Sequence, residues 1–254
     1  MPVFANYPSL VDRTVLVTGG ATGIGASLVQ HFASQGAKVG FIDIDADAGR
    51  ALAASLSGAR TSPVFVETDL TDTPALIAAV DAVRGRLGPI TALMNNAAND
   101  QRHTVAETTP ESFDGGIAVN LKQQFFAAQA VVPDMQHAGG GSIVNFGSVS
   151  WKLKMGRMPV YATSKAAVQG LTRSLARDLG THAIRVNTLV PGWMMTEKQI
   201  RLWLDEAGKA DISRGQCIDR PLLPEHVARM ALFLAADDSS MCTAQDFVVD
   251  GGWT

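Results

Sequence analysis

Cysteine is scarce in this chain. Cys217 and Cys242 are the two among 254 residues, and neither has a Cys or His partner at metal-ligand spacing, which argues against a disulfide-stapled scaffold and a zinc module. Two reduced thiols suit a cytoplasmic enzyme, and sequence spacing leaves a bridge between them open. An excess of one charge is also missing. Lys and Arg total 21 against 24 Asp and Glu, a formal charge of -3 without a clustered basic run, so nucleic acid is not an expected partner. No stretch is apolar enough to span a bilayer, and residues 1–8 lack the charged start and apolar core of a secretory signal. His31, His103, His137, His182 and His226 are scattered without ligand spacing, so no metal is expected. Gly147-Ser148-Val149-Ser150 is not the Gly-x-Ser-x-Gly elbow of a serine hydrolase. The Gly-Lys-Ser/Thr of a phosphate-binding P-loop is absent as well.

What is present has a clear rhythm. The composition, 46% hydrophobic and 18% charged with 24 glycines, is that of a globular protein, and the length suits one domain over residues 1–254 with a large core. Short apolar runs at 15–17, 39–42, 64–66, 92–94, 142–146, 184–190 and 247–249 read as strands. Amphipathic stretches at 24–35, 46–56, 73–87, 113–136, 159–179 and 224–235 read as helices between them. Alternation of this kind predicts an α/β, Rossmann-like, doubly wound parallel sheet of seven strands with helices on both faces. Gly36, Gly58, Gly88 and Gly139-Gly140-Gly141 are placed to end helices. The least regular stretch, about 191–221, mixes aromatics, methionines and charges and suits a substrate lid.

Between the first strand and the first helix runs Thr18-Gly19-Gly20-Ala21-Thr22-Gly23-Ile24-Gly25. Glycines there let backbone approach a pyrophosphate and aim helix N–H groups at it, the arrangement of a dinucleotide site. Asp43 ends the second strand 18 residues after Gly25, near the offset at which a carboxylate meets the adenosine ribose. A carboxylate there repels a 2′-phosphate, and neither Thr22 nor Ile44 offers a cation, so NAD is favoured over NADP. Asp45 and Asp47 suit the start of the next helix. Asp69 could sit near the adenine or cap the helix beginning at Thr73. Asn95 and Asn96, at a buried strand end, need partners in a neighbouring strand or in the cofactor.

Tyr161 and Lys165, four residues apart in Tyr161-Ala-Thr-Ser-Lys165, share one helix face. There an ammonium could lower the cost of ionising the phenol. A tyrosine ionises near pH ~10, so phenolate near neutrality needs about 3 units of depression, roughly 4 kcal/mol. A tyrosine made acidic in this way can take a proton from an alcohol. Ser148 lies 13 residues before Tyr161, and Asn120 a further 28 before Ser148.

In this order the motifs resemble the short-chain dehydrogenase/reductase family, from Thr14 to Asp250-Gly251-Gly252. The resemblance implies a catalytic group of Asn120, Ser148, Tyr161 and Lys165, with Asn120 holding a proton-relay water. It implies a cofactor surrounded by Gly19, Thr22, Gly23, Ile24, Gly25, Asp43, Ile44, Asp69, Leu70, Asn96, Ala97, Pro191, Gly192, Met194 and Thr196, together with Tyr161 and Lys165. A homotetramer joined through helices 113–136 and 159–179 is implied too. Ala98 stands where the family usually has glycine. Asn99, Ser148, Ser150, Trp151, Tyr161 and Trp193 are candidate substrate contacts, and the mixture of amides with indoles suits a polyhydroxylated ring; His103 is an open candidate, and the tryptophans could equally pack the lid. Tyr7-Pro8-Ser9-Leu10, Asn95 to Asp100, Gly147 to Trp151 and Cys242-Thr243 resemble bacterial aldose 1-dehydrogenases. Such enzymes oxidise C1 of L-arabinose, D-galactose, L-fucose, D-xylose or related sugars to a lactone. The competing readings are an enzyme acting on another secondary alcohol or ketone, such as a 3-oxoacyl group or cyclic alcohol, and a non-catalytic NAD-binding protein.

Overall fold

A computed structural model describes residues 4–254. Its centre is a seven-stranded sheet in the order β3-β2-β1-β4-β5-β6-β7, with every pairing parallel. The strands are β1 (Thr14–Thr18), β2 (Lys38–Asp43), β3 (Val64–Glu67), β4 (Ala92–Asn95), β5 (Gly141–Phe146), β6 (Ile184–Pro191) and β7 (Asp246–Val249). Because β1 pairs with both β2 and β4, the winding reverses between β1 and β4, where a crevice opens at the carboxyl ends of the strands.

The helices are α1 (Gly23–Ser34), α2 (Ala46–Ser55), α3 (Thr73–Leu87), α4 (Pro110–Ile117), α5 (Gln123–His137), α6 (Pro159–Leu179), α7 (Glu197–Leu202), α8 (Glu206–Gly215) and α9 (Pro224–Ala235). They cover both faces of the sheet. Val15, Val17, Phe41, Met94 and Val144 pack with Leu28 and Phe32 of α1 and Val227 and Ala231 of α9. Their strand neighbours Leu16, Ile42, Leu93 and Ile143 point the other way, onto Leu76 and Val80 of α3 and Val131 and Met135 of α5. Each of these side chains contributes about 1.5–3 kcal/mol when fully buried, so the two-residue period of the strands holds both layers.

The helix ends follow local chemistry. Asp45 caps α2 by accepting from the Ala48 amide at 3.0 Å, and Asp47 lies in the first turn. For α3 the cap is Asp72, which accepts from Ala75 at 3.1 Å, so Asp69 is not a cap; its Oδ1 takes the Thr71 amide and hydroxyl instead. Gly36, Gly88, Gly139 and Gly140 adopt positive φ. Gly58 and Gly141 do not terminate helices: α2 has already closed through Ser57 N–H to the Ala54 carbonyl, and Gly141 begins β5.

Two expectations are corrected. The stretch 113–136 is not one helix, because a π-helical turn at Ala118–Lys122 divides α4 from α5. Gly115 and Gly116 favour the helix weakly, Gly116 lies against Val160 of α6, and the extra residue in the turn places Asn120 inside the protein. Residues 191–221 are likewise not irregular throughout. They form α7 and α8, each begun by a capping side chain: Thr196 accepts from Gln199 N–H and Asp205 from Gly208 N–H. Cys217 and Cys242 are both free thiols. Among the described residues no helix is long and apolar enough to cross a membrane.

Candidate active site

The crevice at the carboxyl ends of the strands is a cleft of about 990 Å³. Its floor is the glycine turn. Gly19 has φ +64°, and a Cβ there would lie 2.7 Å from the Ala97 Cα. A Cβ on Gly25 would overlap the Gly19 carbonyl oxygen. Thr22 provides no side-chain cap to α1, so the amides of the first turn of α1 are not spent on a cap where Gly23, Ile24 and Gly25 meet the cleft. The Thr196 methyl lies 3.2 Å from where a Gly23 Cβ would be, bringing the segment after β6 over the turn.

Asp43 fastens this turn to β2: one carboxylate oxygen accepts from Ala21 N–H at 2.9 Å and the other from Asp45 N–H at 3.0 Å. Ile44, 68% exposed, stands on the rim. Asp69 and Leu70 border the same end. Asn96 resolves the question of its partners, since its amide nitrogen donates to Thr18 and Gly19 carbonyls at 3.1 and 2.9 Å while the residue still borders the cleft with Ala97 and Ala98. Asn95 works inside the sheet, donating to Asn145 Oδ1 and the Gln124 carbonyl. Pro191, Gly192 and Met194 close the opposite wall.

Ser148 from the end of β5 meets Tyr161 and Lys165 from α6 at the centre. Ser148 lies close enough to Tyr161 to lower the phenol's pKa, and its side chain accepts from Ser150 N–H at 3.1 Å. Lys165 is buried, donates to the Phe146 carbonyl at 2.7 Å, and lies 5.6 Å from the Tyr161 ring centre. The expected depression of the phenol by this ammonium is not seen. Burial pushes Tyr161 up to about 12, with Ser148 lowering it and the Asp100 charge raising it. Burial also brings Lys165 down to about 7, against the upward pull of Asp100. Burial is the largest influence on both groups, and the amine is bonded to a strand carbonyl rather than to the phenol.

Asn120 does not border the cleft. Its side chain is spent on one loop: Oδ1 accepts from Asn99 N–H at 2.9 Å, and Nδ2 donates to the Asn99 and Gly116 carbonyls, each at 3.0 Å. This amide positions Asn99 from inside the protein. Asn99, Ser150 and Trp193 border the substrate end as expected. Trp151 does not. Leu153 N–H bonds the Val149 carbonyl at 3.0 Å, a helical turn that presents Val149, Ser150 and Leu153 to the cleft and leaves Trp151 beside Lys152, 5.8 Å from its ring centre. His103 is also outside the lining, its backbone N–H bonded to the Arg157 carbonyl.

Sequence reasoning passed over several lining residues: Asp100, Arg102, Met155, Lys198 and Trp253. Asp100 and Arg102 belong to the polar loop 99–103 after β4, which the sequence places where ligands bind in such sheets, although neither was singled out as a contact. Trp253 carries no local signal. It arrives because Asp250 holds the C-terminal segment, accepting from the Gly252 and Thr254 amides at 2.8 Å each, and the indole lies on Gly215.

A family profile described as "Enoyl-(Acyl carrier protein) reductase" matches residues 19–254. The chain is 47% identical to the "Probable galactose dehydrogenase GalD" of Rhizobium meliloti, covering 98% of this chain and 97% of that one. It is 44% identical to the D-xylose 1-dehydrogenase of Caulobacter vibrioides, covering 98% of each. A short-chain type dehydrogenase/reductase from Mycobacterium ulcerans superposes with a TM-score of 0.92 at 26% identity, covering 98% of this chain and 91% of that one. A blue fluorescent protein from a metagenomic library, solved with NADPH, gives 0.89 at 30% identity, covering 97% and 99%. With its parallel sheet, glycine turn and serine–tyrosine–lysine cleft, the chain belongs to the short-chain dehydrogenase/reductase family and is an oxidoreductase acting on CH–OH groups.

Proposed function

We propose that this protein is an NAD-dependent aldose 1-dehydrogenase, which transfers hydride from C1 of a cyclic sugar (L-arabinose, D-galactose, L-fucose or D-xylose) to NAD and leaves a lactone. The observation that carries the reading is the convergence, in one cleft, of Ser148, Tyr161 and buried Lys165 with the uncapped amides of α1. The sugar assignment is supported by the names of the two relatives, 47% and 44% identical over nearly the whole chain.

The residues fit a nicotinamide dinucleotide. Gly19 and Gly25 leave a cradle that a Cβ would fill, the α1 amides suit a pyrophosphate, and each Asp43 oxygen, bonded once, retains a lone pair for a ribose hydroxyl. The carboxylate disfavours a 2′-phosphate, hence NAD. A nicotinamide held there would supply, in its oxidised form, a positively charged acceptor for the hydride. Tyr161, as phenolate, takes the proton of the C1 hydroxyl. Ser148 donates a hydrogen bond to the same oxygen as carbonyl character develops. Lys165, fixed on the Phe146 carbonyl, sets the local potential, and Asn120 fixes the Asn99 loop. Since burial holds Tyr161 up at about 12, phenolate formation depends on the positive charge that a bound oxidised cofactor would bring beside it, and turnover should rise into the alkaline range.

A screen of reduced-cofactor formation with aldoses and non-sugar secondary alcohols, run with NAD and NADP in parallel, tests both halves. The expected result is sugar oxidation favouring NAD. Activity confined to non-sugar alcohols would reject the substrate, and preference for NADP would reject the reading of Asp43. The competing reading, another secondary alcohol, draws on the D-threitol dehydrogenase of Mycolicibacterium smegmatis, 35% identical. Phe113 and Phe125, 42% and 39% exposed on α4 and α5, support assembly through these helices and α6, for which our reading is a homotetramer of a cytoplasmic enzyme; a sedimentation mass of one chain would contradict that assembly.

A further inference from the structure

Asp100 lies in the loop that Asn120 holds through both backbone groups of Asn99. Its carboxylate side chain, 19% exposed, reaches α7, where Lys198 Nζ donates to Oδ1 at 2.7 Å and Gln199 Nε2 donates to Oδ2. Helix α7 is in turn anchored over the glycine turn by Thr196, whose hydroxyl accepts from Gln199 N–H. Two residues beyond Asp100, the Arg102 guanidinium lies 4.5 Å from the Trp203 ring centre and 5.5 Å from that of Trp193. An ion pair, a hydrogen bond and two cation–π contacts therefore join the loop after β4 to the segment after β6, and both segments border the cleft that holds Tyr161.

The groups around the phenol come from each surrounding element. Lys165 is on its own helix and Ser148 at the end of β5; Asp100 and Arg102 come from the loop after β4, and Glu197, Lys198 and Arg201 from α7. Among them a bare Asp100 carboxylate would oppose a phenolate, whereas the same carboxylate paired with an ammonium opposes it less. The Asp100 charge does act on this pair, raising both Tyr161 and Lys165. Burial raises the Asp100 carboxyl itself, but the bonds from Lys198 and Gln199 more than offset this and keep it ionised.

We propose that Asp100 and Lys198 form an electrostatic latch, in which docking of α7 on the loop after β4 neutralises a carboxylate that otherwise hinders ionisation of Tyr161, so that proton abstraction is enabled by closure of the lid. Asp100 and Lys198 are positioning residues that act through Tyr161. The inference rests on Tyr161 being the base, and the test separates the two.

The experiment is the pH profile of kcat/KM for the wild type, Lys198→Met, Asp100→Asn and the double variant, with NAD affinity read by tryptophan fluorescence. Lys198→Met should move the alkaline rise to higher pH by on the order of half a unit, the size expected for unit charges across a partly solvated cleft. Asp100→Asn should move it to lower pH, and the double variant should follow Asp100→Asn, because without the carboxylate there is nothing for the lysine to offset. Lys198 is half-exposed, so added salt should move the wild type toward Lys198→Met. Equal displacements in one direction, or falling rates with an unmoved profile, would reduce the pair to a mechanical tie and overturn the latch. Should Asp100→Asn not fold, Lys198→Met and the salt series decide alone. A Tyr161→Phe enzyme that keeps both turnover and its pH limb would instead remove the base reading itself.

Discussion

Tyr161→Phe is expected to lower kcat/KM by roughly a thousandfold, the scale of losing a general base, while NAD affinity stays within about twofold because the phenol acts on the transition state rather than on cofactor binding. The ring is retained, so the Lys165 contact at 5.6 Å and the α6 packing survive. What disappears is the hydroxyl that would take the substrate proton. The pH profile adds a second criterion. A group standing at about 12 in the ligand-free cleft makes wild-type oxidation climb with pH, and the residual rate of the phenylalanine variant should lack that climb. Single-turnover rates with titrated NAD binding provide the measurement; a small loss, or an unaltered pH limb, would move the base elsewhere.

Gly25→Ala is expected to have the other large effect, on binding and stability together. The added methyl has no space: it would overlap the Gly19 carbonyl and lie 2.9 Å from the Asn96 amide nitrogen, both fixed backbone or bonded groups rather than mobile side-chain ends. Relief requires the turn to move away from α1, breaking the 2.9 Å bond from Asn96 to Gly19 and misplacing the amides that would meet a pyrophosphate. Overpacking of this kind costs about 1–3 kcal/mol, and NAD affinity should fall by at least about a hundredfold, about 2.7 kcal/mol. Thermal melting and NAD titration measure both; unchanged affinity would show that the cofactor does not use this turn. Gly58, with open space around its Cβ position, is the control site, where the same substitution should leave both readings unmoved.

Much of this was legible in the chain because the signals are local. The apolar runs gave all seven strands, since each is buried on alternate sides and bounded by turns, and α3, α6 and α9 began and ended where their prolines, caps and periodicity place them. All the expected cofactor residues border the cleft because strand ends and the turns beyond them are set by sheet order. The failures are tertiary. A π turn has no composition of its own, and Asn120 lies inside the molecule because Asn99, 21 residues earlier, needs both its backbone groups satisfied. Trp151 looked like a plate for sugar, yet the turn after β5 presents Val149, Ser150 and Leu153 to the cleft and leaves the indole outside it. The titration of Tyr161 could not be read from the i, i+4 spacing with Lys165, because that spacing does not tell which acceptor the amine selects. The roles of Asp100 and Lys198, nearly a hundred residues apart, depend on a contact that neither segment announces.

The π turn at Ala118–Lys122 has a consequence for how this sequence can diverge. It stores one surplus residue, so the two flanking helices are wound out of phase by roughly 100°, the angle of one residue. Deleting a single codon there would splice them into an unbroken spiral and rotate one half of it relative to the other, carrying Val131 and Met135 off the sheet or Asn120 off its loop. Descendants should therefore tolerate changes of length in the turn around Gly139 far more readily than here, and alignments of distant kin can use this stretch as a fixed ruler mark.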